Sequence, residues 1–209
     1  MVDLIVHDPR ASDTASATLR IGGRPSVPAG FAWPHCAKCK GAMRFLGQLP
    51  RRNARTGETR LLLLFQCENR PGMCDSWDPD MAANAVLDVG IEGLGLAEVP
   101  AKGETLLECL YGGRVAVAEG HDYDGVRGGW AQAQGLGPRE VVGQLGGIPS
   151  WVQADHTPNC AHCRQPMSFV AQLEQGPDAA TKMNFGGGGC AYVFACDCAQ
   201  GSAKFMWQC

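Results

Sequence analysis

Ile21-Gly22-Gly23-Arg24-Pro25-Ser26-Val27 returns 124 residues later as Leu145-Gly146-Gly147-Ile148-Pro149-Ser150-Trp151. At the same offset Pro34-His35-Cys36-Ala37-Lys38-Cys39 falls on Pro158-Asn159-Cys160-Ala161-His162-Cys163, and Met43, Phe45, Gln48 and Leu49 fall on Met167, Phe169, Gln172 and Leu173. Between Ile21 and Leu49, 12 of 29 ungapped positions are identical, where background composition gives roughly two. Phe65-Gln66-Cys67 then lies on Phe194-Ala195-Cys196, with the offset longer by five. Each half reads as a Gly-Gly-x-Pro-Ser turn, a Cys-x-x-Cys knuckle, a short strand, a variable loop, a second strand and a second cysteine pair. Two copies of so long a unit do not make a solenoid. The reading is an internal duplication that packs two similar halves together.

Working outward, the fold class is mainly β, α+β with little helix: two pseudo-symmetric halves, each a four-cysteine zinc knuckle on a small sheet. Residues 44–49 and 167–173 are short apolar strands with partial alternation, and 61–67 and 191–196 are apolar runs suited to buried strands. Residues 85–89, 105–111 and 114–119 read as a three-strand series, with Gly112-Gly113 as a two-residue hairpin turn between the last two. Residues 204–209 alternate to the last residue. A helix starting near Met81, after Asp80, and a single turn at Pro138 are the helical candidates. The first half spans 1–120, with a repeat core at 21–77 and the strand series at 85–119. The second spans 121–209, with its core at 145–209, and the two form one compact unit.

The chemistry lies in the cysteines. Cys36, Cys39, Cys67 and Cys74 form one set and Cys160, Cys163, Cys196 and Cys198 the other, with Cys190 or Cys209 as alternatives to Cys198. A Cys-x-x-Cys turn lets two thiolates grip one ion, and a second pair on a neighbouring strand closes a tetrahedron with Zn–S of about 2.3 Å. Two structural zinc ions are expected, because four cysteines leave no open coordination position for catalysis. Lys38, Lys40, His162 and Arg164 flank the knuckles as solvated turn residues, and His35 and His162 are spectators.

Composition narrows the rest. The chain has 209 residues, 45% hydrophobic and 19% charged, with a net charge of −3. A domain that neutralises phosphates is usually basic, so a nucleic-acid partner is disfavoured. The 11 cysteines cannot all pair, and residues 1–10 lack the basic start of a secretory signal. No run approaches the roughly 18 apolar residues of a membrane span. The expectation is a cytoplasmic chain whose thiols bind metal rather than each other. Gly186–Gly189 lacks the Lys-Ser/Thr of a phosphate loop. Arg51, Arg52, Arg55 and Arg60 read as a solvated basic loop, 121–124 as a solvated turn, and Trp130 as an exposed contact residue.

Ile21-Gly22-Gly23-Arg24-Pro25, Trp33-Pro34, the Cys36/Cys39 knuckle, Phe45-Leu46-x-Gln48 and Cys74-Asp75-Ser76-Trp77 resemble the bacterial YwqG-like proteins of unknown function. The Gly-Gly-x-Pro and Cys-x-x-Cys halves also resemble eukaryotic programmed cell death protein 2 and its yeast relatives. The resemblance covers about residues 20–90 and 144–209. It implies a duplicated, mainly β fold and a protein-binding, chaperone-like role, since the eukaryotic relatives capture a newly made, basic ribosomal protein. The expected function is thus a zinc-stabilised module that holds a basic client between its halves, with no catalytic or cofactor-binding residues. The rivals are an enzyme using Cys109, Cys190 or Cys209 with His121, as a hydrolase or in thiol chemistry, and a zinc-ribbon nucleic-acid binder.

Overall fold

A computed structural model describes residues 1–179 and 181–209. Its strands are β1 (Val2–Asp8), β2 (Arg20–Gly22), β3 (Ser26–Val27), β4 (Arg44–Arg52), β5 (Thr59–Gln66), β6 (Asn84–Gly90), β7 (Gly95–Leu96), β8 (Leu110–Ala118), β9 (Val141–Leu145), β10 (Ser168–Leu173), β11 (Cys190–Cys196) and β12 (Ser202–Gln208). One helix, α1 (Tyr123–Ala133), and a 3₁₀ turn at Pro138–Glu140 complete the set. β3 and β7 form a small separate pair, and the other ten strands make one sheet in the order β12-β11-β10-β9-β1-β8-β2-β4-β5-β6. The end strands β12 and β6 come back to face each other, so the sheet is nearly closed.

The order is palindromic. β9-β10-β11-β12 on one side answers β2-β4-β5-β6 on the other, with β1 and β8 between them. Asp3 of β1 pairs with Leu145, and Tyr111 of β8 pairs with Ile21, the repeat counterpart of Leu145. The correspondence that equates Asp3 with Tyr111 also equates Val6 with Arg114, and these two face each other in the β1–β8 ladder. A pseudo-two-fold axis therefore passes through that pair. It has a topological consequence: β1 is hydrogen-bonded to the later repeat core, and β8 to the earlier one.

Local details repeat as well. The β4–β5 ladder slips between Phe45 and Gly47, and the β10–β11 ladder slips between the equivalent Phe169 and Ala171. Gln48 Oε1 accepts the Ser26 N–H at 3.0 Å, and Gln172 Oε1 accepts the Ser150 N–H at 2.9 Å. Both glutamines are buried, so each amide satisfies a backbone group of its Gly-Gly-x-Pro-Ser turn that would otherwise be stranded.

Alternation along the strands separates an inner core from three outer ones. Ile5, Leu62, Leu64, Ala191, Val193 and Phe205 meet inside the sheet in a cluster shared by both halves. On the outer face Leu61, Leu63 and Phe65 pack around the first cysteine set, and Tyr192, Phe194 and Met206 around the second. The third outer cluster, with Val2, Leu4 and Val6, is covered by α1.

Four sequence expectations need correction. Residues 105–111 and 114–119 are not two strands joined by a turn: Gly112 and Gly113 lie inside the continuous β8. Gly113 permits close approach rather than reversal. A Cβ on Gly113 would sit 2.3 Å from Leu19 Cδ2 and 2.6 Å from Ile5 Cγ2. No helix begins at Met81; the chain enters β6 from Asn84, whose Nδ2 donates to the carbonyls of Ser76 and Asp78. Residues 121–124 are not a solvated turn. The Asp122 side chain caps α1 by accepting the Gly125 N–H at 2.7 Å, and Tyr123 is fully buried. Trp130 lies on α1, half-buried against that third outer cluster.

Candidate metal centres

Each knuckle is built by the same backbone bonds. In the first, Cys36 N–H donates to Gly41 O, Lys40 N–H to Cys36 O and Met43 N–H to Pro34 O, each at 2.9 Å. In the second, Cys160 N–H donates to Gln165 O, Arg164 N–H to Cys160 O and Met167 N–H to Pro158 O, again at 2.9 Å. The reversal is tight enough to force Lys40 to φ 64° and Arg164 to φ 60°, a conformation that costs an L-residue roughly 1–2 kcal/mol. The same left-handed conformation recurs at one repeat position of both knuckles, as expected if the tight turn itself imposes it.

The second cysteine pairs arrive from the ends of strands. β5 ends just before Cys67, and the loop beyond it carries Cys74; β11 ends at Cys196, with Cys198 two residues on. The structure gathers Cys36, Cys39, Cys67 and Cys74 so that all four Sγ atoms lie within 4.8 Å of one another, and it does the same for Cys160, Cys163, Cys196 and Cys198. Sγ–Sγ distances include 3.5 Å for Cys39–Cys67, 3.8 Å for Cys160–Cys198 and 3.5 Å for Cys163–Cys196. A tetrahedron with metal–sulfur arms near 2.3 Å has edges of about 3.8 Å, whereas a disulfide needs about 2.05 Å. All of these cysteines are free thiols. The spacing fits one metal ion in each quartet.

Electrostatics favours the same occupant. Burial opposes ionisation of Cys39, but the Gly41 N–H and the neighbouring thiols outweigh it and bring its pKa down to about 7. For Cys160 the Cys163 N–H leads, and the pKa falls to about 6. The opposite holds for Cys67, which burial and then its neighbours push up to about 12. Thus the first thiolate in a quartet resists the next, and only a cation at the centre allows four together. Lys38, which donates to Asp75 at 2.9 Å, adds positive charge beside the first set.

The remaining candidates do not converge. Cys109 Sγ donates to Thr181 O at 3.6 Å, and burial raises its pKa. Cys190 Sγ donates to Glu174 at 3.4 Å and is pushed up to about 12, first by burial and then by that carboxylate. Cys209 is exposed. Among the described residues, no hydrogen bond joins any of these thiols to His121. His35 Nδ1 lies 2.9 Å from Trp33 O. Three of the four arginines of the expected solvated loop are held internally, while Arg52 stays exposed: Arg51 pairs with Asp88 and Asp197, Arg60 with Asp88, and Arg55 donates to Asp197 O. A cavity of about 660 Å³ sets Arg127, Arg139 and Lys182 against Asp124, Glu174 and Asp178.

Sequence reasoning missed Gln48 and Gln172 as turn anchors, although both stood among the repeat identities. It also missed Glu68 and Asp197, acidic residues that each follow the first cysteine of a second pair. Their equivalence in the repeat was the available signal. No helix among the described residues is long and apolar enough to cross a membrane. Comparison with protein-family models, curated proteins and solved structures finds no match for this chain.

Proposed function

We propose that this chain is a protein-binding module stapled by two structural zinc ions, chaperone-like in holding a basic segment of a client protein. The observation that carries the reading is the pair of closed four-sulfur quartets. Four thiolates select a soft ion such as zinc and leave no position for substrate or water, so the ions serve folding rather than chemistry. Each joins a knuckle to the end of a strand in a glycine-rich lobe, and the binding energy of the ion becomes folding energy.

A binding role is supported by the loop that carries Cys74. It exposes Met73 at 67%, Met81 at 49% and Trp77 at 40%. Asp75, Asp78 and Asp80 are interleaved with them. This patch lies on the seam between the halves, where Trp77 meets Trp207 edge-on at 6.0 Å and Lys204 reaches Asp80. Apolar anchors beside Asp78, which unlike Asp75 and Asp80 has no ion pair among the described residues, suit a basic, amphipathic segment. By the resemblance to programmed cell death protein 2, a basic ribosomal protein is the client to try first.

The test is a low-salt capture from lysate with the zinc-loaded chain and a Met73→Ser/Met81→Ser variant. A basic protein held by the native chain, lost from the variant and released by salt is the expected result. No partner above background at low salt would refute the binding role. X-ray absorption at the zinc edge gives the structural half of the reading: four sulfur scatterers at about 2.3 Å and no nitrogen or oxygen.

A further inference from the structure

The two quartets are laced together by a crossed pair of carboxylate clasps. Glu68 follows Cys67 and Asp197 follows Cys196, at equivalent places in the two halves. Each is met by the hairpin loop of the opposite half. Asp197 is gripped by the end of β4 and the turn that follows it: Arg51 Nη1 donates to its Oδ1 at 2.5 Å, the Ala54 N–H to its Oδ2 at 2.7 Å, and Arg55 Nε to its carbonyl at 2.9 Å. Glu68 is met by the β10–β11 loop, where Asn184 Nδ2 donates to its Oε2 at 3.2 Å. Gln66 Nε2 closes that clasp, donating to Glu68 Oε1 at 2.6 Å and to Asn184 O at 2.8 Å.

Each clasp lies on a continuous path between the quartets. Asp197 sits between two ligands of the second quartet. The turn that holds it joins β4, which follows the first knuckle, to β5, which leads into Cys67 of the first. The reverse path runs from Glu68, beside Cys67, through Asn184 to the loop between β10 and β11, and β11 ends at Cys196. The Arg51 side chain is only 6% exposed and bridges Asp88 as well as Asp197. Partners of a charge buried to that degree cannot separate cheaply.

We infer that the clasps couple the two metal sites, so that an ion in either quartet tightens binding at the other. The inference rests on the four-sulfur reading above. Filling the second quartet fixes Asp197, Asp197 fixes the β4–β5 turn, and the turn holds β5 and Cys67 in place. Filling the first quartet fixes Glu68 and, through Asn184, the β10–β11 loop. Linkage makes the effect mutual, and couplings of this kind are typically about 5–150-fold.

Native mass spectrometry of the full chain, stripped by chelator at low pH and then titrated with zinc, reads the coupling directly. At half saturation, independent equal sites leave about half the chains with one ion, and a coupling of about 25-fold leaves about a sixth. Unequal but independent sites raise the one-ion fraction, so a fraction well below half is the expected result.

Variants test the crossing. Arg51→Met lies in the first half and is expected to release metal from Cys160, Cys163, Cys196 and Cys198, at least about fivefold faster than native, as read by alkylation of those cysteines under chelator. Asn184→Ala lies in the second half and is expected to expose Cys36, Cys39, Cys67 and Cys74 instead. Arg55→Ala, which leaves the Arg51–Asp88 pair intact, repeats the first arm if Arg51→Met does not fold. Release confined to the variant's own half, or no change at either site, would overturn the coupling. Two ions populated independently would overturn the coupling alone, and a chain that takes up no zinc would overturn the metal reading beneath it.

Discussion

Gly22 and Gly146 occupy one position of the repeated turn, with φ of 72° and 57°, yet an alanine should cost far more at the first. A Cβ on Gly22 would lie 1.8 Å from Cys109 O and 2.8 Å from its carbonyl carbon, whereas a Cβ on Gly146 meets nothing within 4 Å. The asymmetry has a structural cause. Gly22 pairs with Leu110 where β2 runs beside β8, whereas the β1–β9 ladder ends at Asp3–Leu145, one residue short of Gly146. Both variants carry the left-handed penalty of about 1–2 kcal/mol. Gly22→Ala adds the displacement of a strand backbone, about 1–3 kcal/mol by the usual cost of overpacking. The totals are about 2–5 kcal/mol for Gly22→Ala and about 1–2 kcal/mol for Gly146→Ala. Guanidinium unfolding at fixed free zinc, followed by tryptophan fluorescence, measures both. Equal losses would refute the β2–β8 junction on which the crossed topology rests.

Cys36→Ser and Cys160→Ser should each abolish binding of one ion and loosen its half, while Cys109→Ser should be mild; metal content and near-ultraviolet dichroism distinguish them. Gln48→Ala removes the buried acceptor of the Ser26 N–H and donors to Ser16 O and Thr18 O, so a loss of about 1–3 kcal/mol is expected in chemical unfolding. Stability should also fall at alkaline pH. The Cys190 thiol is pushed up to about 12 in the folded chain from a usual value of 9.0. The unfolded chain therefore loses that proton first, and the contribution is whole below pH 9 and drains away as pH rises towards 12. Cys190→Ala should flatten that limb by up to about 1.4 kcal/mol per pH unit; an unchanged slope would contradict the burial of this thiol.

The quartets were legible because their signal is local. A Cys-x-x-Cys turn needs nothing outside itself, and its partners lie one strand away. The choice of Cys198 over Cys190 was also within reach. Cys190 and Cys196 share a face of β11, but six residues of strand separate them by about 20 Å. What stayed hidden is non-local. That β1 and β8 exchange places depends on ladder registers between segments far apart in the chain, such as Ile21 with Tyr111 and Asp3 with Leu145. α1 escaped because Gly125, Gly128 and Gly129 lower its helix propensity and blur its apolar stripe. Gly112-Gly113 misled because the same dipeptide serves a hairpin turn or a crowded strand crossing, and only the presence of Leu19 and Ile5 decides between them.

The most direct measurement counts ions and thiols in one experiment: native mass spectrometry of the chain, followed by alkylation and peptide mapping before and after chelation. Two zinc ions per chain are expected, with Cys36, Cys39, Cys67, Cys74, Cys160, Cys163, Cys196 and Cys198 shielded until the chelator removes them. Fewer than two ions, or disulfide-linked peptides within either quartet, would contradict the account.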